Sequence, residues 1–181
     1  MNQNNHIIAL VGMCGAGKSV ANDFFKEKGY ESVYFGGITL SEVEKRGLEV
    51  NPANEKLVRE ELRKIHGPAA FAILNLPKIE EGLAKGNVIV DGLYSWSEYK
   101  ILKEKFGENL IVIAVYAPPK DRYARLAKRV IRPISAEDAK KRDYAEIENI
   151  EKGGPIAMAD YTLVNDGDLE KFMDQLKKIS Q

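Results

Sequence analysis

An α/β fold built on a parallel, doubly wound sheet is what this 181-residue chain predicts. Short apolar runs alternate along it with stretches of helical period, and the crossovers between runs are long enough to carry a helix. Between the first run and the first helix lies Gly12-Met13-Cys14-Gly15-Ala16-Gly17-Lys18-Ser19. These eight residues meet every fixed position of the phosphate-cradling pattern G-x-x-x-x-G-K-[ST], in the strand-loop-helix setting that the pattern needs.

His6 to Val11 is a short apolar run and reads as the first strand, buried on both faces. Lys18 to Lys28 follows as a helix stopped by Gly29. Ser32 to Phe35 gives a second strand that ends at Gly36-Gly37. Asn51 and Pro52, an N-cap and a first-turn proline, open a helix running to His66-Gly67 with Leu57, Leu62 and Ile65 roughly on one face. Another helix spans about Pro68 to Lys85 and is expected to kink or break near Pro77. Asn87 to Asp91 is the third strand. Ser95-Trp96-Ser97-Glu98 has capping-box spacing and starts a helix to Phe106. Asn109 to Ala117 is the most hydrophobic strand and belongs in the sheet's centre. Pro118 begins a helix to about Ile131, and Ser135 with Asp138 caps another to about Lys152. After Gly153-Gly154-Pro155, Tyr161 to Val164 makes a fifth strand and Asp168 to Ile179 a closing helix. One domain over residues 1–181 is expected, with helical flaps.

The composition is that of an ordinary globular domain, 44% hydrophobic and 30% charged, with 27 basic residues against 27 acidic ones. No bulk field therefore favours nucleic acid or an anionic membrane, and anion binding must come from local clusters. Cys14 is the only cysteine, which excludes an internal disulfide and a cysteine-rich zinc site. Met1 to His6 is polar rather than basic-then-apolar, and no apolar run reaches membrane-spanning length. A cytoplasmic protein follows by default, with a nucleoside triphosphate and a small-molecule acceptor as partners, as a monomer or homodimer.

The glycines of the eight-residue segment let backbone N–H groups converge on phosphate oxygens at the positive end of the next helix. Gly12, Gly15, Ala16, Gly17, Lys18, Ser19 and Val20 make the expected nucleotide cradle. Lys18 supplies charge between the outer phosphates, and the Ser19 hydroxyl takes one position on Mg²⁺. Met13 and Cys14 fill free positions, where a small buried thiol is the simplest reading. Asn87 to Gly92 puts Asp91 at the carboxyl end of a buried strand, where ligands of open α/β sheets bind. Such an acid either holds Mg²⁺ or takes a proton from an acceptor hydroxyl; Asp-Gly is also a turn signal.

Arg122, Arg125, Arg129 and Arg132 fall at i, i+3, i+7 and i+10, within about 80° of arc on a continuous helix. Tyr123, Leu126, Ala127 and Val130 form the opposite, core-facing stripe. Only Arg125 has an acid four residues before it, so pairing within the helix does not explain this face. The arginines suit phosphate oxygens, with Arg142 joining from the next helix, or else make a solvated basic face. Arg59 and Arg63, one turn apart, can bind an acceptor phosphate, although Glu55 is placed to pair with Arg59. Tyr94, Trp96 and Tyr99 either stack on a ring of the acceptor or pack against the sheet edge.

Together these segments resemble the P-loop kinases of the adenylate kinase type, within them the dephospho-CoA-kinase-like group, and most of all the nucleotide-kinase-like proteins known mainly from archaea. The likeness runs through "GMCGAGKS", "KRGLEVNPANEKLVREELRKIHGPAAFA", "VIVDGLYSWSEY", "RYARLAKR" and "RDYAEIENIEKGGPIAMADYTLVNDGDL". It implies a three-layer P-loop NTPase fold, a five-stranded parallel sheet in the order 2-3-1-4-5, with an acceptor-binding helical region about 38–85 and a lid about 129–143. It implies ATP and Mg²⁺ at Lys18 and Ser19, an acceptor facing Asp91 and Tyr94, and lid roles for Arg125, Arg129 and Arg132. It also implies that Asn165 lies against adenine. Two stretches depart from the pattern: "FGGITL" carries no acid before Glu42, and Leu93-Tyr94 follows the Asp91-Gly92 pair.

Two functions fit these features. One is an ATP-dependent kinase acting on a nucleotide, nucleoside-like molecule or coenzyme precursor. The other is a nucleotide-binding regulatory ATPase that has lost its acceptor.

Overall fold

The computed structural model describes residues 5–180; the polar start at residues 1–4 lies outside them. The elements are β1 (Ile7–Val11), α1 (Lys18–Glu27), β2 (Glu31–Tyr34), α2 (Gly37–Lys45), α3 (Pro52–His66), α4 (Ala70–Lys85), β3 (Val88–Asp91), α5 (Trp96–Phe106), β4 (Leu110–Tyr116), α6 (Pro119–Ala127), α7 (Ala136–Ile150), α8 (Gly153–Ala157), β5 (Tyr161–Val164) and α9 (Leu169–Ile179). The five strands are parallel and ordered β2-β3-β1-β4-β5. This is the architecture expected of the sequence.

The three layers follow from period-two alternation along the strands. Ile7, Ala9 and Val11 of β1, with Val88, Val90, Val112 and Ala114, face a core that includes Val58, Leu62, Phe71, Ile79 and Leu102 of the helices α3 to α5. Ile8, Leu10, Ile89, Ile113 and Val115 face the other way, onto Phe24 and Phe25 of α1 and Phe172 and Leu176 of α9. A sheet covered on both faces explains why its central strands read as unbroken apolar runs.

Local chemistry sets the helix starts. The Asn51 side chain accepts from the Asn54 N–H at 2.9 Å ahead of Pro52. Ser95 and Glu98 complete the reciprocal capping box, and Ser135 accepts from the Asp138 N–H. Several boundaries differ from expectation. Gly36 does not simply end β2; it is the N-cap of α2, a helix the sequence reading did not contain. Pro77 lies inside α4 without breaking it. On α3 the buried pair is Val58 and Leu62, while Leu57 and Ile65 are exposed. Gly153-Gly154-Pro155 forms most of the short α8 rather than a break.

The largest difference concerns α6, which ends at Ala127. Pro133 bars a helical conformation at Arg132, which takes φ 54°, and the intervening Val130 and Ile131 are exposed with no core beneath them. The four arginines therefore do not share one helical face, and Val130 is not part of a core-facing stripe.

Candidate active site

The glycine-rich segment joins β1 to α1. Gly12 and Gly17 have φ of 137° and 110°. Each is also crowded: a Cβ on Gly12 would meet the Val115 carbonyl oxygen at 2.3 Å, and one on Gly17 the Asn165 side-chain amide at 2.2 Å. Conformation and close approach both demand glycine there. The first turn of α1 holds no acidic residue, so the positive end of its dipole is unopposed. Ala16 is buried, Val20 is partly buried against the core on the α1 and α9 side of the sheet, and Ser19 is exposed. The Lys18 ammonium folds back to donate to the carbonyls of Gly12 at 2.8 Å and Met13 at 3.3 Å. Burial first and then the Lys152 charge lower its pKa to about 8, against the opposing pull of Cys14, Asp91 and Glu146.

A polyanion entering the cradle gives Lys18 a stronger partner than two carbonyls. Crystals grown from sulfate are expected to show the ion against the backbone of Gly15 to Ser19, with Lys18 turned onto it. An ordered, empty loop with Lys18 still on the Gly12 and Met13 carbonyls would count against this site.

Asp91 ends β3 and pairs in register with Leu10 of β1 and Tyr34 of β2. Its carboxyl group thus emerges at the sheet edge from which the glycine segment springs. Burial raises its pKa and the nearby Lys18 charge pulls it back. The chain after it is tightly held: the Tyr94 ring lies so close to Gly92 that a Cβ there would meet it at 2.8 Å. The buried Glu98 carboxylate accepts from the backbone N–H groups of Tyr94 at 2.9 Å and Ser95 at 3.1 Å. On the neighbouring strand, the Tyr34 hydroxyl occupies the space where a Gly36 side chain would stand, 2.3 Å from its Cβ position. A side chain at position 36 would have to displace this half-exposed phenol. Of the three aromatics after Asp91, Trp96 and Tyr99 stack on each other, with centroids 5.0 Å apart and planes at 10°, and Tyr99 is buried.

The arginines divide. Arg122 is buried and bidentate to Asp143 of α7 at 2.7 and 3.0 Å, and it also donates to the Cys14 and Ala117 carbonyls. Its partner comes from a different helix, so the absence of an acid at i−4 said nothing about it. Arg125 donates to the Asn165 carbonyl at 2.9 Å and reaches the Gly15 carbonyl at 3.5 Å. Asn165 itself donates to the Ala16 carbonyl at 2.8 Å, so both residues brace the cradle from the β5 side. Arg129 is exposed, and Arg132 pairs with Glu55 of α3 at 2.9 Å. Glu55 also pairs with Arg59 at 3.7 Å. Arg63 makes no ion pair among the described residues; its guanidinium lies 5.0 Å over the Phe71 ring and its Nε has no partner.

Sequence reasoning missed Glu146 and Lys152. Lys152 is 1% exposed, its ammonium sits on the Glu146 carboxylate, and it lies 4.8 Å over the Tyr94 ring. Arg142 shares Glu146 at 2.9 Å. Burial pushes the Glu146 pKa up, but the two cations outweigh it and hold the carboxyl below its ordinary value. Nothing local marks Lys152, which stands among charged residues at a helix end.

An AAA domain model, AAA_18, matches residues 8–151. A UPF0200 protein of Thermococcus kodakarensis is 39% identical over 178 residues, covering 96% of this chain and 95% of its own. The chain belongs to the UPF0200 family. Among solved structures, TT1252 from Thermus thermophilus aligns with this UPF0200 chain at a TM-score of 0.68 and 21% identity, covering 98% of it and 97% of TT1252. A shikimate kinase from Bacteroides thetaiotaomicron aligns at 0.59 and 15%, covering 97% and 96%. At these identities the likeness is one of fold. Among the described residues of this UPF0200 member, no helix is long and apolar enough to cross a membrane, and no group of three or more His, Cys, Asp or Glu could hold a metal.

Proposed function

We propose that this protein is a small-molecule kinase that passes the γ-phosphoryl group of ATP to a hydroxyl of a nucleotide, nucleoside-like or coenzyme-precursor acceptor. Within P-loop kinases, transfer to a hydroxyl is the dephospho-CoA-kinase-like mode of action; the adenylate-kinase-like mode would pass the group to an acceptor phosphate oxygen and leave Asp91 no proton to take. The observation that carries it is the placement of Asp91 at the carboxyl end of β3, in register with Leu10 of β1 and so at the sheet edge from which the Lys18 cradle springs. The acceptor oxygen attacks the γ-phosphorus, the bond to the β-γ bridging oxygen breaks, and its electron pair leaves on ADP. Asp91 orients the hydroxyl and takes its proton. Lys18 and the N–H groups of Gly15 to Ser19 carry the phosphate charge, and Arg125, Arg129 and Arg132 belong to the lid at about 129–143 and its base.

Mg²⁺ would suit this donor set, because it takes one or two protein oxygens and keeps phosphates and water for the rest: the Ser19 hydroxyl would hold it, with Asp91 touching its water shell. When bound it draws off charge from the phosphate oxygens.

The acceptor end lies in the helical region about 38–85. Thr39 Oγ1, Arg63 Nε, Asn75 Oδ1 and Glu98 Oε1 are buried without hydrogen-bond partners, and they sit on α2, α3, α4 and α5. Buried polar atoms of that kind are the mark of a surface that expects polar ligand groups or bridging water. Arg59 is already committed to Glu55, so Arg63 is the arginine available to an acceptor's phosphate or carboxylate, with Tyr94 and Asp91 at the reacting end.

A thermal-shift screen of nucleotides and coenzyme precursors, with and without a non-hydrolysable ATP analogue, tests this reading. A true acceptor is expected to add stabilisation on top of the analogue. The Tyr34 hydroxyl over Gly36 favours the second reading, a regulatory ATPase without an acceptor. ADP release at one slow rate whatever acceptor is added would select it.

A further inference from the structure

Buried lysines are costly, and the one at position 152 is compensated poorly. Its ammonium shares the single carboxylate of Glu146 with Arg142, so one negative charge serves two positive ones. The Tyr94 ring face at 4.8 Å adds a cation–π contact but no charge. A methionine or leucine of similar volume would fill the same space without the desolvation penalty, so stability does not account for this pair.

Position explains it better. The Tyr94 ring beneath Lys152 rests against Gly92, next to Asp91, at the rim of the phosphate cradle. The backbone around Lys152 is fixed: its N–H donates to the Glu146 carbonyl at 3.2 Å, and two residues on, Gly154 is pressed so closely to Trp96 that a Cβ would lie 2.8 Å from the indole. α7, which carries Glu146 and Arg142, is itself tied to the cradle through Asp143, Arg122 and the Cys14 carbonyl. The side chain of Lys152 is thus a four-carbon arm on a rigid base. The ammonium it carries adds to the charge of Lys18, whose pKa, lowered first by burial, it lowers further.

We propose that Lys152 is a second phosphate-binding lysine, which leaves Glu146 to take a γ-phosphoryl oxygen of a bound nucleoside triphosphate and so lets the site tell tri- from diphosphate. Glu146 is then a positioning residue that holds the arm ready and receives it back when the γ-phosphoryl group has left. The inference rests on the nucleotide-binding half of the kinase reading and is independent of the acceptor.

Its test is a comparison of Kd for a non-hydrolysable ATP analogue and for ADP, both with Mg²⁺, measured by titration calorimetry on the full chain. Wild type is expected to prefer the triphosphate. In Lys152→Met that preference shrinks by about 10- to 100-fold, the worth of one charge-assisted hydrogen bond, while ADP affinity stays near wild type. Lys152→Arg is expected to keep most of it. ADP binding is the control for a damaged fold, and the double variant Lys152→Met with Glu146→Gln, which leaves no unpaired buried carboxylate, is expected to repeat the result. A wild-type preference retained in Lys152→Met overturns the proposal, as does loss of ADP and triphosphate binding together in both the single and the double variant. A wild type that binds both nucleotides but phosphorylates no acceptor sinks the kinase reading and leaves this one standing.

Discussion

Replacing Asp91 with asparagine is expected to leave nucleotide affinity nearly intact and to lower phosphoryl transfer by about 10² to 10⁴, the effect of removing a positioned general base. The amide fills the same volume at the end of β3 and keeps the register with Leu10 and Tyr34. What it loses is the ability to take a proton. Lys18→Ala is expected to behave differently and weaken nucleotide binding itself, because in the proposed mechanism that ammonium carries phosphate charge before and during transfer. Titration calorimetry and a coupled ADP-release assay with candidate acceptors separate the two. Full acceptor-dependent turnover in Asp91→Asn would end its catalytic assignment.

The second large effect is on stability. Arg122→Leu is expected to cost about 3–5 kcal/mol, because it leaves the Asp143 carboxylate buried without its bidentate partner. For a chain of this size that corresponds to a fall of roughly 6–20 °C in Tm. The double replacement of Arg122 and Asp143 by leucine should recover much of the loss, since neither charge is then stranded. Urea unfolding of the three proteins measures it, and a single variant as stable as wild type would refute the structural role given to this arginine.

That role shows where sequence reasoning reached its limit. The strands, the place of the glycine segment between β1 and α1, that of Asp91 at the end of β3, and the caps at Asn51, Ser95 and Ser135 were legible because each depends on residues a few positions apart. The periodicity of four arginines was equally visible but extended past Ala127, where the helix had already stopped. Arg122 then finds Asp143 across 21 residues, and no spacing rule reaches that far. α2 was hidden because Gly36-Gly37 signals a strand end as readily as a helix start. Lys152 joins Tyr94 and Glu146 only through the fold, so its charge looked like one more at a helix terminus.

The contact between Arg132 and Glu55 reaches across 77 residues, from the segment after α6 to the first turn of α3. Arg132 is largely exposed while Glu55 is not, and an ion pair open to water on one side contributes at most about 1 kcal/mol. It is also weakened by dissolved ions, whose screening length falls from about 30 Å at 0.01 M to about 8 Å at 0.15 M. The tie between these two segments is therefore weak and sensitive to ionic strength. Added salt is expected to weaken this one tie between the Arg132 segment and α3, so nucleotide-binding rates should be compared only at matched salt.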